Sequence, residues 1–112
     1  MSAPFVVAAV PIGPAGRDPA PCWREAEAGI AAAAAAGAGL VVLPELFALP
    51  YVAGEAHEGW AHLAEAEDGP TTQRMSAVAR ASGAAVLFGL ALRAGDGRPL
   101  NAARQHSGKR RS

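Results

Sequence analysis

The chain has 112 residues, 51% of them hydrophobic, with ten basic and ten acidic side chains and a formal net charge of zero. That length admits one small domain, and the single cysteine, Cys22, excludes an internal disulfide and fits a reducing, cytoplasmic compartment. Charge is unevenly spread: residues 1–103 carry a balance of −4 and residues 104–112 one of +4, and an acidic body argues against nucleic acid as the main partner.

Phe5 to Val10 is a short apolar run rich in β-branched residues, closed by Pro11 and a Gly/Pro segment. Asp18-Pro19 predicts a helix start with proline at the first position. Trp23, Ala26, Ile30 and Ala33 then recur at helical spacing, and Gly37 offers the stop. Leu40 to Leu43 is a near-continuous apolar strand of the kind buried on both faces. Strand, helix and strand with short joints predict a right-handed βαβ unit with parallel strands.

The second strand runs straight into Pro44-Glu45, with Leu46 and Phe47 beyond. A carboxylate at the C-terminal end of a buried strand stands where open α/β sheets bind ligands. Apolar walls disfavour the charged form of such a group, which suits proton transfer. The plainer reading is a strand that reaches the surface at Glu45. Residues 46–68 are expected to cover this end as a loop and short helix. There Phe47, Tyr51 and Trp60 are substrate-pocket candidates; the plainer reading of each singly is that it packs the loop onto the sheet. His57 and His62 are five apart, so they do not share the helix face that a zinc protease motif requires. No metal site is expected.

Gly69-Pro70 opens a second helix, with Met75, Val78, Ala79 and Ser82 on one face and Gly83 at its end. Ala84 to Leu92 reads as a third strand, in which Gly89 suggests a bulge or a close backbone approach. Gly95-Asp96-Gly97 is a turn signal, so the strand that begins at Leu100 is predicted antiparallel to the third. From Arg104 the pattern turns polar and basic. The expected organisation is a domain body over 1–103 and a disordered basic tail over 104–112.

Four segments carry a resemblance: Gly37 to Phe47, Gly69-Pro70-Thr71, Val86-Leu87-Phe88-Gly89 and Asn101-Ala102. Together they resemble the N-terminal part of the carbon–nitrogen hydrolase (nitrilase/amidase) superfamily, over Phe5 to Ala103. The resemblance implies an α/β fold, a partial αββα sandwich with about four strands and two main helices. It also implies hydrolysis of nitriles, amides or carbamoyl groups by a Glu–Lys–Cys triad that needs neither metal nor organic cofactor. Glu45 matches the triad glutamate, the general base for the thiol. In the family the lysine and cysteine follow the Asn-Ala strand. Here Cys22 precedes Glu45, and Lys109 lies in the basic tail.

The implied product is therefore a truncated chain, inactive alone, whose small-molecule partner by family is an amide or nitrile. A homo-oligomer is admitted. A membrane is not, because the apolar stretch Ile30 to Leu43 is too short to span one. No signal peptide is expected either, since the N-terminus lacks basic residues and Pro11 interrupts its apolar stretch. The alternative is a non-enzymatic small α/β module that binds a protein partner through an exposed sheet face.

Overall fold

The computed structural model describes residues 5–13, 18–45, 47, 64–96 and 99–107. Six elements follow in chain order: β1 (Val7–Ala9), α1 (Ala20–Ala35), β2 (Leu40–Val42), α2 (Pro70–Ser82), β3 (Ala85–Arg93) and β4 (Pro99–His106). They form one mixed sheet in the order β1-β2-β3-β4. The first three strands are parallel and the fourth is antiparallel to the third. Two helices and a four-stranded sheet are the α/β layer that the sequence pattern predicts.

The local signals act where expected, with shifts of a residue or two. The Asp18 carboxylate accepts from the Ala20 N–H at 3.0 Å, so Pro19 is the cap and α1 starts one position later. At the other end Gly37 adopts φ 102, which only glycine enters without strain. That turn lets the Ala38 N–H reach back to Ala33 O at 3.0 Å, closing the orphan carbonyls. α2 begins with Pro70 at its first position and ends at Gly83 with φ 78.

The hydrophobic core lies between the helices and one face of the sheet. Cys22, Ala26 and Ile30 form the buried stripe of α1, and Met75 and Ala79 that of α2. They meet Val41, Val86, Phe88 and Leu90, each 4% exposed or less. The alanine-rich helices supply close approach, and the larger strand residues supply most of the apolar area removed from water. The opposite sheet face carries Val7, 54% exposed, and the half-buried Leu40, Val42 and Leu87. At the β1 edge Phe5 and Val6 are 71% and 45% exposed.

Two expectations for β3 and β4 need adjustment. The β3–β4 ladder runs without interruption from Val86↔His106 to Arg93↔Pro99, so Gly89 pairs with Ala103 and marks no bulge. β4 also continues through Arg104, Gln105 and His106, three residues past the expected end of the domain body. An antiparallel partner supplies backbone bonds whatever the side chains, and an edge strand tolerates polar ones. Residues 108–112 lie outside the described residues. Among the described residues no helix is long and apolar enough to cross a membrane.

Candidate functional site

While β3 runs on to Arg93, its parallel partners β1 and β2 end together at the level of Leu87 and form one rim of the sheet. β2 reaches it through Val42, whose carbonyl accepts from the Val10 N–H at 3.0 Å, and Leu43, whose N–H donates to Leu87 O at 2.9 Å. The chain then leaves the ladder at Pro44, which has no N–H to continue it. Glu45 follows in a turn and is exposed. It stands between two inward anchors, Leu43 at 5% and Phe47 at 4% exposure. Phe47 belongs to the core cluster beneath the rim. Tyr51 and Trp60 lie outside the described residues, as do His57 and His62.

The cysteine is set apart from this arrangement. Cys22 is in the first part of α1, 3% exposed, with its thiol directed at Gly13 O at 3.8 Å. Burial, and then the Glu25 carboxylate, push its pKa above the ordinary thiol value. Both effects disfavour the thiolate, which is the nucleophilic form. Lys109 is outside the described residues. Among the described residues no group of histidine, cysteine and carboxylate side chains could hold a metal ion.

A second carboxylate lies further along β3, at the level of Leu92. Beyond Leu43 the edge of β3 is taken over by Glu65, whose N–H donates to Ala91 O at 2.9 Å and whose carbonyl accepts from the Arg93 N–H at 2.7 Å. Leu87, Ala91 and Arg93 alternate along one edge of β3, so Glu65 continues the line that β2 abandons. The Glu65 side chain turns to the start of α2. There Oε1 accepts from the Thr71 N–H at 2.8 Å and Oε2 from the Thr71 hydroxyl at 2.5 Å. That N–H is one of the first-turn donors with no partner inside the helix, and the helix dipole favours an anion at this end. The Thr71 oxygen in turn accepts from Trp23 Nε1 at 2.8 Å.

Space around this contact is tight. A Cβ added at Gly69 would meet Glu65 Cβ and Oε1, both at 2.8 Å, so the close approach requires glycine. Arg93 Nη2 donates to Ala64 O at 2.8 Å and holds the preceding residue. Outside the buried relay, Arg74 lies 5.4 Å over the Trp23 ring and pairs with Glu27 at 2.5 Å. From sequence alone Thr71 stands out only as part of the Gly69-Pro70-Thr71 segment, and Glu65 does not stand out at all. An acidic residue shortly before a Gly-Pro helix start was the available signal, but the pairing of Glu65 with β3 is a long-range contact.

The comparisons agree with this architecture. The family model for carbon-nitrogen hydrolase matches residues 6–105, and the chain belongs to that family. A Pseudomonas protegens protein described as a hydrolase in the pqqF 5′ region is 47% identical over 68 residues, which are 61% of this chain and 23% of that protein. An amidase from Nesterenkonia sp. superposes with a TM-score of 0.77 at 23% identity, over 93% of this chain and 38% of the amidase. A CN-hydrolase superfamily protein from Xanthomonas campestris, with an arsenic adduct in its active site, superposes with a TM-score of 0.68 at 27% identity, over 88% and 35% of the two chains. The chain thus spans less than two fifths of each of these solved relatives, and the likeness to the amidase is one of fold.

Proposed function

We propose that this chain supplies the general-base glutamate, Glu45, of a hydrolase acting on small amides or nitriles. The observation that carries the reading is the position of Glu45: within the family match, shortly after β2, at the rim where the parallel strands β1 and β2 end beside β3. In this scheme the Glu45 carboxylate takes the proton of a cysteine thiol, and the thiolate attacks the carbon of the C–N bond. A lysine ammonium stabilises the charge that develops on oxygen or nitrogen. With an amide, Glu45 then returns its proton to the departing amine, leaving a thioester, and afterwards deprotonates the water that hydrolyses it. No step draws on a metal or cofactor.

The thiol and ammonium come from outside this chain in the proposed scheme. Cys22 is buried with a raised pKa and points to Gly13 O, and the family's order places both groups after the Asn-Ala strand. The isolated chain is inactive in this scheme, and its single cysteine fits a reducing, cytoplasmic compartment. One observation favours a second reading, a module that docks a protein partner, further copies included: Phe5, Val6 and Val7 are exposed at the β1 edge.

The test has two arms. Purified chain mixed with acetamide is expected to release no ammonia above a boiled control; turnover that Cys22→Ser abolishes would overturn the scheme. A chimera in which residues 5–106 replace the superposing part of the Nesterenkonia amidase is expected to hydrolyse acetamide. Glu45→Gln in the chimera should then lower kcat/KM by about a hundredfold to ten-thousandfold, the usual range for a general base. Equal activity of the two chimeras would remove Glu45 from the role.

A further inference from the structure

We propose that Glu65 is the positioning residue for the strand beside the Glu45 rim: its carboxylate fixes the first turns of both helices against the C-terminal end of β3, five residues beyond the level at which β2 ends. The idea rests on the hydrolase reading only in taking that rim as the site. The direction of the bonds carries the argument. Thr71 has a single hydroxyl proton, and it goes to Glu65 Oε2, so the Thr71 oxygen is left to accept from Trp23 Nε1. The order Trp23 to Thr71 to Glu65 therefore ends on one acceptor, the carboxylate. Trp23 belongs to α1, Thr71 to α2, and Glu65 to the edge of β3. A single side chain thus ties α1 to α2 and β3, which lie some tens of residues further along the chain.

The tie is closed to water at its centre: Thr71 is 0% exposed and Ala64 is 3% exposed. A buried charge-assisted bond is shorter and stronger than a neutral one, and losing its acceptor strands two donors. Loosening of this tie would reach the Glu45 rim along β3. Glu65 pairs with Ala91 and Arg93, Leu43 pairs with Leu87, and all three β3 residues line the same edge.

The test uses the full chain labelled with 15N, its two indole signals being distinguished by Trp60→Phe. In the native chain the Trp23 indole proton is expected to exchange slowly with D2O. Glu65→Gln and Thr71→Val should each accelerate that exchange at least about tenfold, since only the opened fraction exchanges. Both should move the Leu43 and Glu45 amide signals while Ile30 and Ala79 keep their protection. Thr71→Ser retains the hydroxyl and should restore native behaviour. Should Glu65→Gln fail to fold, the Thr71→Val and Thr71→Ser pair carries the same test. Unchanged indole exchange in Thr71→Val, unmoved Leu43 and Glu45 signals, a Thr71→Ser variant as affected as Thr71→Val, or uniform loss of protection would each overturn the proposal. No readout needs turnover, so the outcome is independent of the hydrolase reading.

Discussion

The two faces of the sheet behave differently although both are apolar. On the face under the helices Val41 and Val86 are fully buried, and Phe88 and Leu90 nearly so. On the other, Val7 is more than half exposed, and Leu40, Val42 and Leu87 are only half covered. The strands are apolar enough for burial on both sides, yet the described chain covers one. The contrast teaches that strand composition reports the environment a strand is suited to, whereas the covering element fixes which residues carry stability.

Mutation is the most direct way to break that contrast. Phe88→Ala empties a site on the covered face and should cost about 3–5 kcal/mol, from lost transfer energy and the cavity left behind. Val7→Thr on the other face should change stability by no more than about 0.5 kcal/mol. Urea unfolding followed by circular dichroism measures both. A Val7→Thr cost close to that of Phe88→Ala would mean that this face is covered in solution.

Chemical access sharpens the comparison with a smaller perturbation. Cys22 is buried on the helix side, and burial with Glu25 raises its thiol pKa. Iodoacetamide at neutral pH should therefore alkylate the native chain at least about tenfold more slowly than the urea-unfolded chain, because only the thiolate reacts and the fold hides it. Equal rates, read by mass spectrometry, would show that α1 does not seal this part of the core.

The smallest expected effect is a pH dependence at the margin of the covered face. His106 pairs with Val86 at the β4 edge, and its Nδ1 is buried without a hydrogen-bond partner among the described residues. Burial first, then Arg80 and Arg104, lower its pKa below the ordinary value of 6.5. The unfolded chain then binds more protons below 6.5, so the His106 contribution is present above that pH and lost as pH falls toward the folded value. The fall in urea midpoint between about pH 7.5 and about pH 5.5 should be smaller in His106→Gln than in the native chain. An identical fall would place His106 in water.

Much of the fold was legible because its signals are local. Pro70 and Gly83 bracket α2 by the fixed φ of proline and the left-handed turn of glycine. Gly95-Asp96 turns β3 back into an antiparallel β4. Glu45 at the end of β2 was legible as well, since a short apolar strand that meets proline must end there. Phe47 was a pocket candidate by its place just beyond Glu45, with packing onto the sheet as the plainer reading, and it is buried in the core cluster.

The sequence by itself determined the order of the described elements, the stops of both helices, the parallel first pair of strands and the family, because propensity, periodicity and short motifs act over a few neighbouring residues. Only the tertiary structure decided which sheet face the helices cover, how far β4 runs, and that Glu65 takes the edge β2 leaves while holding Thr71 and, through it, Trp23. Those outcomes depend on groups separated by tens of residues in the chain. Their meeting is set by packing and by the need to pair buried donors, and no local pattern encodes it.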